Sequence, residues 1–254
     1  MKRPPSFLSA LEGPRALNEF YTFGAAFPFL QMTPKGDGHP VMVIPGFMAS
    51  DRTTIPLRAF LRLRGYAAHG WSLGTNDGRD LDPRNGLPSE RRLVRRLQAL
   101  KAEYGCPVSL IGWSWGGIYA REMARYCPDN VRIVITLGSP ITGDPRANHV
   151  WPVFETMTGF RGDEIEPALR HKMQQPPPVP ATAIYSRTDG IVAWQCCLEQ
   201  PTATTENIGI LSSHLGLAHN PLALWVIANR LAQPEGEWRH FEWFSLRGAA
   251  YSKQ

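Results

Sequence analysis

The segment that most restricts the fold of this chain is residues 108–123, VSLIGWSWGGIYAREM. An apolar run with the length of a buried strand leads directly into a Gly-x-Ser-x-Gly sequence, in which Ser114 stands between Gly112 and Gly116. Residues with helical spacing follow at once. So sharp a turn leaves little room for side chains two positions before and after the serine. The segment therefore predicts a strand, a tight turn and a helix, with Ser114 exposed where the strand ends.

Apolar runs of the same kind alternate with helical patterns along the chain. The predicted strands are residues 41–44, 66–71, 108–113, 131–137, 181–186 and 206–211. The predicted helices are residues 56–65, 89–105 with Ser89 as N-cap, 116–126, and 221–232 with Asn220 as N-cap. Near-continuous apolar strands that alternate with helices indicate a parallel sheet covered on both faces. We expect an α/β fold with a mostly parallel sheet of about six strands flanked by helices.

Three regions of the chain lie outside this alternation of strands and helices, and we expect them to surround a single core. A length of 254 residues with 43% hydrophobic content suits one sizeable core. We expect an N-terminal helical arm at 1–38, a core at 39–140 and 181–232, a cap inserted at 141–180, and a C-terminal tail at 233–254. The cap contains Trp151 and Phe154, which we expect to line an apolar substrate pocket. The phenylalanines of the arm either close the same pocket or pack against the sheet.

Composition and charge argue against several classes of protein. The chain has 27 Lys+Arg and 22 Asp+Glu. Its densest basic run, RRLVRR at 91–96, has leucines at helical spacing and no interleaved aromatic residues, which indicates a solvated helix face and no nucleic-acid site. The four cysteines lack the spacing of metal ligands or of a disulfide framework, so we expect free thiols and no metal. No apolar run is long enough to span a membrane and no signal-peptide pattern is present, so we expect a cytoplasmic protein. The sequence does not predict the oligomeric state.

A serine hydroxyl becomes a good nucleophile when a base accepts its proton and a third group orients that base. The last two predicted strands are followed by Asp189 and His214, in that order. Because parallel strands end at the same edge of a sheet, both side chains are expected near Ser114. Asp189 could instead open an Asp-Gly turn, and His214 could cap a helix. His219 is a competing base, but it stands at the predicted entrance of the last helix.

The oxyanion of such a reaction needs two backbone N–H donors. One is expected from Trp115, directly after the serine, and the other from the loop after the first strand. In that loop Gly46 allows a close approach of the backbone, and Phe47 supplies the next N–H. The alternative interpretation of this loop is an ordinary Pro-Gly turn.

With these motifs the chain resembles the α/β-hydrolases, and more narrowly the small bacterial lipase- and esterase-like members with a Gly-Trp-Ser-x-Gly-Gly elbow and a Ser-His-Leu-Gly histidine loop. The resemblance covers about residues 40–232. It implies a catalytic triad of Ser114, Asp189 and His214. It also implies an oxyanion hole formed by the N–H groups of Phe47 and Trp115. It implies no metal and no organic cofactor. In one departure, Pro45-Gly46 stands where many relatives have His-Gly, which concerns the oxyanion loop and leaves the triad untouched.

Proteins with this fold catalyse several reactions, so the fold alone does not define the activity. We expect hydrolysis of carboxylic esters with apolar acyl chains through an acyl-enzyme on Ser114, with a small-molecule or lipid-like ester as substrate. A thioesterase or amidase would use the same triad. A non-catalytic ligand-binding protein is the alternative outside enzymes, and the complete triad argues against it. An apolar pocket wall predicts that kcat/KM rises from acetate to at least butyrate or hexanoate.

Overall fold

The computed structural model describes residues 2–82, 87–88, 92–144, 146–159, 167–242 and 251–253. Its helices are α1 Ser6–Ala10, α2 Glu12–Leu30, α3 Ile55–Leu63, α4 Arg92–Tyr104, α5 Trp115–Tyr126, α6 Trp151–Thr158, α7 Pro167–Gln174 and α8 Pro221–Leu231. Its strands are β1 Pro40–Ile44, β2 Ala67–Gly70, β3 Leu81–Asp82, β4 Leu87–Pro88, β5 Val108–Trp113, β6 Val131–Leu137, β7 Ala181–Tyr185, β8 Thr205–Ile210 and β9 Tyr251–Lys253.

The central sheet has the strand order β2-β1-β5-β6-β7-β8-β9. Neighbouring strands from β2 to β8 are parallel, and the short β9 pairs antiparallel with β8. The predicted α/β fold with a mostly parallel sheet is therefore confirmed. Strands β5 and β6 have the predicted bounds, β1 and β7 differ from the prediction by one residue at one end, and β2 and β8 differ by one residue at each end. The sequence did not predict β9 or the two-stranded ribbon of β3 and β4.

Apolar side chains fill both faces of the sheet. On one face α3 and α8 pack through residues such as Phe60 and Leu224, and on the other α4 and α5 pack through residues such as Leu97 and Met123. All side chains of β1 and β5 are buried, which explains their continuous apolar sequence. Within the described ranges, no helix has the length and apolar content needed to span a membrane.

The exposed face of α4 and the N-cap of α8 agree with the predictions from sequence. In α4, Leu93, Leu97 and Leu100 are buried, whereas Arg92 and Arg95 are exposed, so this part of the basic run is a solvated helix face. At the start of α8 the side chain of Asn220 accepts a hydrogen bond from the Leu222 N–H at 2.9 Å, which confirms the predicted N-cap. The predicted N-cap of α4, Ser89, lies outside the described residues.

The order of the strands creates a crevice at one edge of the sheet. The chain passes from β1 outward to β2 and then returns to the other side of β1 as β5. Such a reversal leaves a crevice beyond the carboxyl ends of the two central strands. The loop that contains Phe47 follows β1, and Ser114 follows β5. Asp189 and His214 follow β7 and β8 and so lie at the same edge.

Two segments outside the sheet lie near this edge. Before β1, α1 and α2 form a helical segment, and α2 packs against α8. Phe23 of α2 packs against the core, but Phe20 and Phe29 are exposed, so only part of the aromatic stretch packs inward. Between β6 and β7, the range 141–180 contains α6 and α7, and its residues 145 and 160–166 lie outside the described parts.

Candidate active site

Ser114 occupies a sharp turn between β5 and α5. Its backbone has φ 53° and ψ −122°, in the region of positive φ that side chains other than glycine rarely adopt. The Ser114 N–H donates to the Leu137 carbonyl of β6 at 2.8 Å, which ties the turn to the sheet. Helix α5 begins at the next residue, Trp115, so Ser114 lies at the helix N-terminus.

The glycines around Ser114 are required by close packing. A Cβ on Gly112 would lie 2.3 Å from the Gly117 Cα, and a Cβ on Gly116 would lie 2.4 Å from the Ile44 carbonyl oxygen of β1. Both distances are too short for a side chain. The Gly-x-Ser-x-Gly sequence is therefore the one that lets α5 start directly against β5 and β1.

Three of the predicted site residues form one hydrogen-bonded chain. The Ser114 Oγ lies 3.0 Å from the His214 Nε2, and the His214 Nδ1 lies 2.6 Å from the Asp189 Oδ2. The other carboxylate oxygen of Asp189 accepts the N–H groups of Ile191 and Val192, each at 2.8 Å. Asp189 thus both opens a turn and contacts the histidine. The two interpretations of this residue are compatible.

His214 is buried, and its Nδ1 lies against the Asp189 carboxylate. Burial lowers the pKa of His214, but the adjacent Asp189 charge, its hydrogen bond and the charge of Glu12 act in the other direction, and the net pKa is raised above the ordinary histidine value. A carboxylate at Nδ1 favours the neutral tautomer with its proton on Nδ1. The Nε2 lone pair is then free to accept the Ser114 proton.

The competing histidine lies elsewhere. The His219 Nε2 is 3.0 Å from the Ala16 carbonyl oxygen of α2, and the imidazole ring meets Phe20 edge-on. His219 therefore contacts the N-terminal helices, and the structure places His214 beside Ser114.

Two unused N–H groups lie beside the serine. Gly46 packs so closely on the turn that a Cβ there would lie 3.1 Å from the Ser114 Cβ. In the parts of the chain that the structure describes, neither the Phe47 N–H nor the Trp115 N–H donates a hydrogen bond to the protein. In these parts of the chain, both N–H groups that are predicted to bind the oxyanion thus lack an acceptor within the protein.

Asn76 holds the loop that contains Phe47, a role that the sequence did not suggest. Its side-chain amide donates to the Pro45 carbonyl at 2.8 Å, and its backbone exchanges hydrogen bonds with Met48 and Ala49 at 2.7 and 2.8 Å. Asn76 is fully buried. In the sequence it resembles an ordinary turn residue, because its partners are backbone groups about 30 residues away.

Gly138 is a second residue that sequence reasoning missed. It follows β6 with φ +57°, and a Cβ there would lie 3.1 Å from the His214 Nδ1 and 3.2 Å from the Asp189 Oδ2. The absence of a side chain leaves the histidine and aspartate in contact. A glycine directly after a predicted central strand was the available signal.

A cleft of about 30 Å³ adjoins Ser114. Trp151 and Phe154 of α6 form part of its wall, as predicted, together with Phe47 and Trp115. The Phe154 ring is central, because its centroid lies 4.3 Å from that of Trp115, 5.2 Å from that of Trp151 and 5.3 Å from that of Phe47. Four aromatic side chains therefore pack together at the wall of the cleft beside the serine.

The sequence and the fold agree on the family. Residues 41–250 match the model of the alpha/beta hydrolase family, which is most of the chain. This protein therefore belongs to the α/β-hydrolase family, and the match supports the class of hydrolases.

Solved structures with the same fold include two lipases. Lipase B from Aspergillus fumigatus matches with a TM-score of 0.60 and 18% identity over 79% of this chain and 54% of that chain. The chain thus spans about half of that lipase. A lipase from Bacillus licheniformis in its mature form matches with a TM-score of 0.58 and 17% identity over 79% of this chain and 94% of that chain. No curated protein matches the sequence. At these identities the likeness shows the fold.

Proposed function

We propose that the protein is a carboxylic-ester hydrolase that forms an acyl-enzyme on Ser114. The observation that carries the proposal is the hydrogen-bonded chain from the Ser114 Oγ through the His214 imidazole to the Asp189 carboxylate. Side chains so arranged, with two free N–H groups beside the serine, are the parts that acyl transfer requires. The solved lipases that share the fold agree with this class of reaction.

The mechanism follows from the positions of these groups. The Ser114 Oγ attacks the carbonyl carbon of the ester while the His214 Nε2 accepts its proton, and Asp189 stabilises the imidazolium. The negative oxygen of the tetrahedral intermediate accepts hydrogen bonds from the N–H groups of Phe47 and Trp115. Trp115 is the first residue of α5, so the helix dipole also favours the negative charge. His214 then gives the proton to the departing alcohol, which leaves the acyl group bonded to Ser114. In the second half of the reaction His214 accepts a proton from water as the water attacks the acyl carbon, and it returns that proton to the Ser114 Oγ when the carboxylic acid departs.

The cleft makes short acyl groups the proposed substrates. The cleft beside Ser114 is small, at about 30 Å³, and the closely packed Phe154 and Trp115 rings form part of its wall, which favours short acyl groups. The sequence alone predicted a rise in kcat/KM to at least butyrate or hexanoate. Because Phe154 narrows the cleft, we instead propose acetate and propionate esters as the preferred substrates.

Kinetics with matched substrates test the proposal. The wild type and Ser114→Ala are assayed with p-nitrophenyl acetate, propionate and hexanoate and with the corresponding acyl thioesters. We expect ester turnover that falls by a factor on the order of 10⁶ in Ser114→Ala, with an unchanged melting temperature. Turnover retained in Ser114→Ala would refute the assignment of Ser114 as the nucleophile. A strong preference for thioesters would instead favour a thioesterase with the same triad.

A further inference from the structure

Helix α2 directs all of its charged side chains toward the loops that contain Asp189 and His214. These charged residues are Glu12, Arg15 and Glu19, which recur at helical spacing. Leu17, Phe20, Tyr21 and Phe29 of the same helix are exposed. A surface helix ordinarily has the reverse arrangement, with apolar residues inward and charges outward. The inward charges therefore need partners, and they find them in the two loops.

Glu12 binds both loops at once. One carboxylate oxygen accepts the Gly190 N–H at 2.7 Å and the His214 N–H at 3.0 Å, and the other accepts the Leu215 N–H at 3.0 Å. Gly190 directly follows Asp189, so a single side chain joins the backbones that hold the acid and the base. Glu12 is only 3% exposed, and buried hydrogen bonds to a carboxylate are among the stronger ones.

The other two charged residues of α2 contact the same loops at Thr188, Ser212 and Ser213, one or two residues away from Asp189 and His214. The Arg15 guanidinium donates to the Thr188 and Ser212 carbonyl oxygens, each at 2.7 Å, and lies 3.8 Å from Glu12. The Glu19 carboxylate accepts the backbone N–H of Ser213 at 2.7 Å and its hydroxyl at 2.6 Å. Unlike Glu12, Arg15 and Glu19 border an open groove of about 720 Å³ that does not include Ser114.

Both loops have glycine where the N-terminal helices touch them. A Cβ on Gly190 would lie 2.5 Å from the Leu8 backbone of α1, and a Cβ on Gly216 would lie 1.4 Å from the Glu19 carboxylate. A side chain at position 190 would collide with the α1 backbone, and a side chain at position 216 would displace the Glu19 carboxylate from its present position. The loops are thus shaped to receive α1 and α2.

We propose that Glu12 is a positioning residue, which acts through the backbones of the Asp189 and His214 loops to hold the imidazole in line with the Ser114 hydroxyl. This inference rests on the catalytic role proposed above for Ser114. A displacement of the base by about 1 Å is enough to slow such a reaction by a factor of about 10². Glu12 and Asp189 are also the two carboxylates whose charges raise the pKa of His214, while Arg15 faces Glu12 and Glu19 faces the next residue, Ser213.

The test compares Glu12→Gln with Glu12→Asp and with Glu19→Gln, the matched control on the same helix. Glu12→Gln removes the charge and sets an amide against backbone N–H groups. We expect kcat for p-nitrophenyl acetate to fall by about 10²-fold with little change in KM. The acid limb of the pH profile should move to lower pH, because the imidazolium loses a stabilising charge. Glu12→Asp should keep the acid limb near its wild-type position, and Glu19→Gln should leave it unmoved.

A second measurement does not depend on activity. The pKa of His214, followed by NMR of the imidazole ring in the full-length protein, should be lower in Glu12→Gln than in the wild type and unchanged in Glu19→Gln. Equal shifts in the two glutamine variants, or none in either, would overturn the role of Glu12. An inactive wild type would refute the proposed esterase and leave the NMR result to decide on Glu12. If Glu12→Gln does not fold, a wild-type kcat in Glu12→Asp, whose shorter side chain cannot reach all three N–H groups, would overturn the proposal.

Discussion

At the scale of single residues, Ser114, His214 and Asp189 owe their contact to backbone geometry. Ser114 adopts a positive φ that three neighbouring glycines make room for, and Gly138 leaves space behind the other two side chains. The consequence is chemical, since the imidazole lies between a hydroxyl and a carboxylate at 3.0 and 2.6 Å. A raised pKa of His214 follows from the same contact.

The pH dependence of the reaction tests the assignment of the base. Because His214 must be neutral to accept a proton, and because Asp189 raises its pKa, we expect kcat/KM to decline on the acid side around a pKa above the ordinary value of about 6.5. In Asp189→Asn the rate should fall by roughly 10⁴ and the acid limb should move to lower pH.

His219→Ala is the control for this experiment. It removes a histidine that contacts the N-terminal helices, so the pH profile and kcat should stay close to those of the wild type. If His219→Ala lost the acid limb and His214→Ala kept it, the base would be misassigned.

At the scale of elements, α6 and α2 approach the site from two sides. Helix α6 brings Phe154 against Phe47 and Trp115 in the cleft, and α2 brings Glu12 to the back of the histidine loop. Under the proposed function, the first contact limits the space for the acyl group. The second contact fixes the loop that holds the base.

Shortening Phe154 should change the preferred acyl chain. Phe154→Ala removes the ring at the centre of the cleft, so hexanoate should gain on acetate in kcat/KM, by up to about fourfold for each additional buried methylene. Val153→Ala is the matched control, because Val153 is exposed on the same helix. Melting curves show whether Phe154→Ala keeps its fold. A folded variant with the wild-type chain-length profile would show that Phe154 does not limit the acyl site.

At the scale of the whole molecule, the parallel sheet assembles the site from distant parts of the chain. Ser114 and His214 are 100 residues apart in sequence, and His214 and Asp189 are 25 apart. They meet because β5, β7 and β8 are parallel and end at one edge. The order of strands, with its reversal at β1, opens the crevice at that edge.

Much of this arrangement could be predicted from sequence, and the reasons are local. A strand, a Gly-x-Ser-x-Gly turn and a helix identified Ser114, and the ends of apolar strands identified Asp189 and His214, because each signal lies within a few residues of its element. Asn76 and Glu12 left no such signal. They bind backbone groups of distant loops, and backbone partners have no residue type that a sequence pattern could reveal.

The charged residues of α2 show why the sequence did not reveal the role of Glu12. Glu12, Arg15 and Glu19 are the charged residues of a helix that is otherwise apolar or uncharged, and their spacing places them on one face. By the usual pattern of a surface helix, this face would be expected in solvent and the aromatic residues would be expected against the core. The structure has the reverse arrangement, because the charged side chains bind two loops of the core and Phe20 and Tyr21 are exposed.

The most direct test of the account is covalent labelling of Ser114. The wild-type protein, Ser114→Ala, His214→Ala and His219→Ala are treated with a fluorophosphonate and analysed by intact-mass spectrometry and peptide mapping. The account predicts one adduct per wild-type chain, located on Ser114, equal labelling of His219→Ala, much slower labelling of His214→Ala and none of Ser114→Ala. An unlabelled wild type, or an adduct that persists in Ser114→Ala, would contradict the central claim that Ser114 is an activated nucleophile.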